Sequence, residues 1–116
     1  MKNYLSIDQG TTSSRAIIFN SELEAIVDSQ IEYDLAYPKD GWVELDPGDI
    51  VKSVEKTVSN VLKTENNIKA CGITNQRETT IVWSKKTGKP IYPGIVWQDR
   101  RTCLLYTSPS PRDHWR

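Results

Sequence analysis

Residues 6–15 read Ser-Ile-Asp-Gln-Gly-Thr-Thr-Ser-Ser-Arg, and the other predicted elements are placed relative to them. A mostly apolar run, residues 4–7, leads into Asp8, and a second apolar run, residues 16–19, follows Arg15. Two strand-like runs joined by a polar turn that contains a glycine predict a β-hairpin. The rest of the chain is expected to build on this hairpin.

The turn of the hairpin carries groups that suit a nucleotide phosphate and its metal ion. Gly10 lets the backbone approach a phosphate closely, and Arg15 can neutralise phosphate charge. Hydroxyl donors are present at Thr11, Thr12 and Ser13. Asp8 offers a carboxylate that suits Mg²⁺, held through water. On the hairpin alone, a polar turn without a ligand explains the sequence equally well, because hydroxyl residues favour turns.

The remaining chain predicts an α/β fold with a mixed sheet. Short connections predict a third antiparallel strand at residues 25–32. Asp46 and Pro47 predict the start of a helix. Apolar residues then recur at helical spacing: Ile50, Val51, Val54, Val58, Val61 and Leu62. A buried strand is predicted at residues 68–74, and further extended segments at residues 79–83 and 91–97, an order that fits the ribonuclease-H-like layout as well as any simple alternative.

The composition disfavours several classes of protein. Lysine plus arginine and aspartate plus glutamate each number 15, so a near-zero net charge disfavours nucleic-acid binding. No apolar stretch approaches membrane-spanning length and no signal peptide is recognisable, so we expect a cytoplasmic protein without a membrane segment. Cys71 and Cys103 are expected to be reduced thiols. A chain of 116 residues accommodates one core, but not two substrate-enclosing lobes.

Two further stretches carry side chains that suit a polyol. Arg77 and Glu78 lie side by side between two predicted strands and offer both donors and acceptors to hydroxyl groups. Taken alone, a surface ion pair or two solvated charges would explain these residues better. Trp97 offers an aromatic face to the carbon side of a polyol, and it is equally open as a core residue. For residues 99–101, Asp-Arg-Arg, a helix start is favoured, and Trp42 is expected to pack within its loop.

Four stretches in one order resemble the FGGY carbohydrate kinases, which belong to the actin-like, ribonuclease-H-like ATPase superfamily. They are residues 8–15 (the hairpin turn), 37–44 (Tyr-Pro, then Gly-Trp-Val-Glu), 72–80 (Gly-Ile-Thr-Asn-Gln-Arg-Glu-Thr-Thr) and 87–102 (Thr-Gly-Lys-Pro-Ile-Tyr, then Trp-Gln-Asp-Arg-Arg-Thr). The hairpin alone would support only the superfamily, whereas residues 75–80 point to the branch of the family that phosphorylates glycerol. The resemblance covers residues 1–102 and implies an incomplete N-terminal ATPase subdomain.

The resemblance also implies an activity and a set of site residues. The activity is ATP-dependent phosphorylation of glycerol to sn-glycerol 3-phosphate, with Mg²⁺. The positions that resemble nucleotide contacts are Thr11, Thr12, Ser13 and Arg15. The positions that resemble substrate contacts are Thr11, Arg77, Glu78 and Trp97. Asp8 resembles the metal-associated carboxylate of the superfamily.

The last residues depart from the family pattern. Residues 103–116 include Ser-Pro-Ser-Pro, which disfavours a regular helix, and we interpret them as a disordered or foreign tail. The family's catalytic aspartate comes much further along the chain, so no catalytic residue is assigned and the chain alone is expected to be inactive. A homo-oligomeric parent protein is left open. The alternatives are another FGGY sugar kinase, acting on a pentulose or a sugar acid, and a non-catalytic actin-like nucleotide-binding module.

Overall fold

The structure is a computed structural model that describes residues 2–76 and 78–101. Arg77 and the predicted tail at residues 103–116 lie outside the described residues. The elements in chain order are β1 (Asn3–Gln9), β2 (Ser13–Phe19), β3 (Ala25–Glu32), β4 (Glu44–Leu45), α1 (Pro47–Thr64), β5 (Ile68–Asn75) and β6 (Gly94–Ile95). Within the described ranges, no helix has the length and apolar character needed to cross a membrane.

The main sheet is mixed, as the sequence predicts. Its strand order is β3-β2-β1-β5, with β1 antiparallel to β2, β2 antiparallel to β3, and β1 parallel to β5. The parallel pairing places Asp8 opposite Thr74 and Gln9 opposite Asn75. The carboxyl ends of β1 and β5 therefore lie side by side, next to the hairpin turn.

The helix begins where the sequence predicts. Asp46 is its N-cap, with the carboxylate Oδ1 accepting a hydrogen bond from the Gly48 amide at 2.8 Å, and Pro47 occupies the first turn. α1 packs across β2 and β3. The core between helix and sheet consists of Leu5, Ile7, Ala16, Ile18 and Val61. Val51, which the helical spacing placed on the apolar face, is exposed.

A second, smaller core lies beside the hairpin turn. It consists of Tyr33, Val43, Leu45 and Val96, with Leu35 and Ile50 packed against it. The short strands β4 and β6 pair antiparallel through this cluster. Gly94 packs so closely against Leu45 that an added Cβ would come within 2.9 Å of the Leu45 Cδ1 atom. The second core thus fixes the segment that leads into Trp97.

Three predictions about strands need correction. The prediction of a strand at residues 79–83 is wrong, because this segment makes only isolated bridges, Thr80 with Ile95 and Trp83 with Pro90. The extended segment at residues 91–97 reduces to β6, since prolines at 90 and 93 have no N–H to continue a ladder. β5 forms as predicted, but it is exposed rather than buried along most of its length. Its burial was inferred from composition, whereas α1 packs over β2 and β3, toward the other edge of the sheet.

Candidate functional site

Tyr33 fixes the hairpin turn through two hydrogen bonds. The Tyr33 hydroxyl donates to the Gly10 carbonyl, and the Tyr33 amide donates to the Thr12 carbonyl at 2.9 Å. Gly10 closes the turn by donating its amide to the Ser13 carbonyl at 2.8 Å. In a trans peptide the C=O and N–H point in opposite directions, so the Thr11 amide faces away from Tyr33. Burial raises the pKa of the Tyr33 hydroxyl, against the opposing effect of a hydrogen bond from Gln9.

The hydroxyl residues of this stretch do not all face the same way. Thr12 is exposed and Thr11 is partly buried at the tip of the turn. The Ser13 hydroxyl accepts a hydrogen bond from Gln30 Nε2 at 3.0 Å. Ser14 is fully buried, and its hydroxyl lies 2.7 Å from the Ser53 hydroxyl of α1. Ser14 therefore joins the sheet to the helix, and the three residues before it are those available to a ligand.

Asp8 and Arg15 are direct neighbours across the two strands of the hairpin. Arg15 Nη2 lies 2.6 Å from the Asp28 carboxylate of β3, in an ion pair whose two side chains are about half exposed. Asp8 is exposed at the end of β1. Among the described residues, no cluster of three or more His, Cys, Asp or Glu side chains forms a metal cage. One exposed carboxylate beside the hairpin turn suits Mg²⁺ only in the form in which the ion keeps several waters and takes its remaining ligands from substrate phosphates.

Trp97 comes to the hairpin from the other end of the described chain. Its indole Nε1 donates to the Thr11 hydroxyl at 3.3 Å, and its side chain is 58% exposed. The structure thus brings together the aromatic residue predicted for a polyol and a hydroxyl predicted for a phosphate. An exposed tryptophan whose polar atom touches the turn leaves most of its ring face available to a ligand.

The segment after β5 is described except for Arg77, so the predicted role of Arg77 stays a prediction. Glu78 is exposed and has a positive φ of 58°, which is uncommon for a residue other than glycine. Gln76 accepts a hydrogen bond from the Thr79 hydroxyl at 3.1 Å, and its buried Nε2 has no partner within the described ranges. A positive φ at Glu78 and an unpaired amide two residues before it are features that recur in ligand-binding segments.

Residues 99–101 do more than the sequence suggested. Asp99 Oδ1 accepts from the Arg101 amide at 2.8 Å, as an N-cap residue does, but any helix beyond Arg101 lies outside the described residues. The Arg101 side chain is nearly buried and ion-pairs with both Asp99 and Glu44, at 2.7 Å each. Sequence reasoning missed this cluster. One available signal was Glu44, a carboxylate between Val43 and Leu45, both of which are buried.

Comparison with known proteins decides which family the chain represents. The family model for the N-terminal domain of the FGGY family of carbohydrate kinases matches residues 3–108. The chain belongs to the FGGY family. The match extends past residue 102, and the predicted boundary at that position stays a prediction. The mixed sheet with its helix is the actin-like, ribonuclease-H-like ATPase fold of FGGY kinases, so the predicted fold class is confirmed.

Several FGGY relatives carry the same name. The chain is 53% identical over 105 residues to a glycerol kinase from Alteromonas mediterranea, covering 87% of this chain and 21% of the relative. It is 52% identical over 118 residues to a glycerol kinase from Clostridium perfringens, covering 97% of this chain and 24% of the relative. The chain therefore spans between a fifth and a quarter of the length of these relatives.

Solved FGGY structures superpose well. A Plasmodium falciparum glycerol kinase with ADP matches with a TM-score of 0.84 and 35% identity, over 92% of this chain and 22% of that chain. A xylulose kinase from Lactobacillus acidophilus matches with a TM-score of 0.86 at 20% identity, over 92% of this chain and 22% of that chain. The second likeness supports the fold alone.

Proposed function

We propose that this chain forms the phosphate- and polyol-binding part of an ATP-dependent glycerol kinase, which makes sn-glycerol 3-phosphate. The observation that carries the proposal is the 3.3 Å contact between Trp97 Nε1 and the Thr11 hydroxyl. This contact joins a candidate polyol surface to a candidate phosphate turn, as transfer of a phosphoryl group to a polyol requires. Relatives named glycerol kinase at 52–53% identity favour glycerol over larger sugars.

The nucleotide end of the proposed site is the hairpin turn. The hydroxyls of Thr11, Thr12 and Ser13 and the outward-facing Thr11 amide would donate to phosphate oxygens. Arg15 would neutralise phosphate charge, sharing its guanidinium with Asp28. Asp8 would hold Mg²⁺ through water, and the ion would supply charge neutralisation at the β- and γ-phosphates.

The polyol end of the proposed site consists of Arg77, Glu78 and Trp97. The arginine and the glutamate would bind glycerol hydroxyls as donor and acceptor, while the indole would cover the carbon atoms. A glycerol hydroxyl would attack the γ-phosphorus in line, breaking the bond to the bridging oxygen of ADP. We assign no residue of this chain as the base that accepts the hydroxyl proton. We therefore expect the 116-residue chain alone to show no kinase activity. A cytoplasmic location follows from this proposal, since ATP is supplied there.

Steady-state kinetics on the intact protein that contains this chain test the proposal. ADP release is measured with glycerol, xylulose and gluconate, and glycerol should give the highest kcat/KM. Trp97→Ala should raise the glycerol KM about tenfold, because a ligand in contact with the ring loses that packing. Trp83→Ala is the matched control, since Trp83 is equally exposed at 58% and lies away from the turn.

Two outcomes would contradict the proposal. A higher kcat/KM with xylulose or gluconate would make the protein a different FGGY sugar kinase. Titration calorimetry that detects ADP but no effect of glycerol on binding would indicate a non-catalytic nucleotide-binding module.

A further inference from the structure

Trp97 lies on a turn that is tied at both ends to one residue. The Asp99 amide donates to the Val96 carbonyl at 2.9 Å, which closes a β-turn with Trp97 and Gln98 at its centre. At the first end, the Val96 amide donates to the Val43 carbonyl at 3.2 Å. At the second end, Asp99 Oδ2 accepts from the Val43 amide at 2.6 Å. The orientation of the exposed indole therefore depends on how firmly Asp99 is held.

Asp99 is held by Arg101. Arg101 Nε lies 2.9 Å from both Asp99 oxygens, and Arg101 Nη2 lies 2.7 Å from Oδ2. The same Nη2 reaches the Glu44 carboxylate of β4 at 2.7 Å, and Nη1 donates to the Tyr92 hydroxyl at 3.1 Å. The side chains of Asp99, Glu44 and Arg101 are only 3%, 11% and 12% exposed. One guanidinium thus pairs with two nearly buried carboxylates, one close in the sequence and one far away.

The guanidinium is also fixed in its plane. Its central carbon lies 3.8 Å from the centroid of the Trp42 ring, and Lys39 Nζ lies 4.6 Å from the same ring. The amide of Arg100 donates to the Gly41 carbonyl at 2.6 Å, so the backbone runs beside the Trp42 loop as well. A planar group that stacks on a ring and makes forked hydrogen bonds is a role that lysine cannot fill.

We propose that Arg101 is a positioning residue for substrate binding, which holds the Val96–Asp99 turn so that Trp97 meets the Thr11 hydroxyl. The inference rests on the proposed function, because it assigns to Trp97 the role of covering the polyol. It adds that the orientation of this indole is set by the nearly buried ion-pair cluster of Arg101, Asp99 and Glu44. In this role Arg101 acts through Asp99 and the turn, and no contact with substrate or nucleotide is assigned to it.

The test is the Arg101→Lys variant of the intact protein, which keeps the charge and loses the fork and the stack. We expect the glycerol KM to rise about tenfold, with the ATP KM within about twofold, since small misplacement of a contact group weakens binding and catalysis. A double variant isolates the mechanism. In a Trp97→Ala background, Arg101→Lys should leave the glycerol KM unchanged, because the residue through which it acts is gone.

A second readout does not depend on activity. In a ¹⁵N spectrum of the ligand-free protein, the Trp97 indole N–H signal is assigned by its loss in Trp97→Phe. This signal should shift in Arg101→Lys and in Asp99→Asn. Val61→Ala is the stability control, because Val61 is fully buried in the other core. This substitution should lower the melting temperature without shifting the Trp97 indole signal.

The outcomes separate the two proposals. Equal rises of the glycerol and ATP KM in Arg101→Lys, or additive effects with Trp97→Ala, would overturn the positioning role while leaving the kinase intact. If Arg101→Lys does not fold, Asp99→Asn is used in its place. Its glycerol KM should also rise about tenfold with the ATP KM within about twofold, and equal rises of the two KM values would again contradict the positioning role. If neither the wild type nor any variant phosphorylates glycerol, the proposed function is wrong. The positioning role is then tested by the Trp97 indole signal alone, and a signal that does not shift in Arg101→Lys would refute it.

Discussion

Arg15 is already paired before any ligand arrives, and this pairing bears on what it can contribute. Its ion pair with Asp28 is about half exposed, a setting in which such pairs contribute little to stability. The guanidinium has further N–H donors besides Nη2, so Asp28 orients the group without consuming it. The same carboxylate also places a negative charge near the proposed phosphate site.

This arrangement predicts opposite effects for the two partners. Arg15→Gln should raise the ADP Kd about tenfold, because a charge-assisted hydrogen bond to phosphate is lost. Asp28→Asn should lower the ADP Kd about twofold, because a repulsive exposed charge is removed. Titration calorimetry on the intact protein measures both values. Glu55→Gln on the exposed side of α1 is the control for net charge, and an equal effect there would remove Asp28 from the account.

At the level of single residues, the sequence predicted the hairpin but not the direction of each of its side chains. Ser14 stood among four hydroxyl residues, yet it faces α1 and pairs with Ser53. Strand alternation carries the signal, since Ser14 lies on the same face as Ala16 and Ile18, which are fully buried. The contact of Trp97 with Thr11 joins residues 86 positions apart, and no local pattern predicts such a pair.

Among the elements, those with local signals were predictable. The cap at Asp46 with Pro47 predicted the start of α1, and the third strand has the predicted bounds, Ala25–Glu32. The predicted strand at residues 79–83 does not form, because the segment it pairs with contains prolines that cannot donate to a ladder. The sequence alone does not show that these two segments are partners. The Arg101 cluster was missed because Glu44 is 57 residues away in sequence, although it is adjacent in the fold.

The nearly buried carboxylate of Asp99 predicts that the stability of the fold depends on pH. Burial alone would raise the pKa of Asp99, but hydrogen bonds from Arg101 and the Val43 amide, with the Arg101 charge, hold it below its ordinary value. Because the folded-state pKa is lowered, this carboxylate stabilises the fold fully above its unfolded pKa of about 3.9. That stabilisation is lost as the pH falls through the lower folded value. The hydrogen bond to Asp99 is the leading cause that raises the Arg101 pKa, against the opposing effect of burial, and hydrogen bonds to Glu44 and Tyr92 raise it further, so Arg101 stays charged throughout.

Urea unfolding of the wild type and of Asp99→Asn measures this dependence. The difference in unfolding free energy should be large at pH 7 and pH 5 and should shrink at pH 3, where the wild-type carboxylate begins to lose its advantage. Asp28→Asn serves as the comparison, because its exposed pair should give a small difference at every pH. A constant difference between wild type and Asp99→Asn from pH 7 to pH 3 would contradict the assignment.

The part of the chain that the structure describes has two small cores, and Tyr33 connects them. This residue packs in the second core with Val43 and Val96, while its hydroxyl and amide hold the hairpin turn that grows from the first core. Tyr33 therefore connects the hairpin turn to the core that supports the Trp97 segment. Neither core is large, and the face of the sheet that carries Leu5 and Ile7 continues uncovered onto β5.

This uncovered face predicts how the 116-residue chain behaves in solution. Ile73 lies opposite Ile7 in the parallel pair and is 74% exposed, and β5 is an edge strand of the described sheet. Exposed apolar side chains on an unpaired edge favour association through that edge. The isolated chain should bind the dye ANS and self-associate at micromolar concentration in sedimentation velocity. Ile73→Lys should reduce both effects, because a charge blunts the edge, whereas Leu23→Lys, at an equally exposed loop position of 73%, should not. A dye-free monomer with a sharp, reversible thermal transition would show that β5 is no liability.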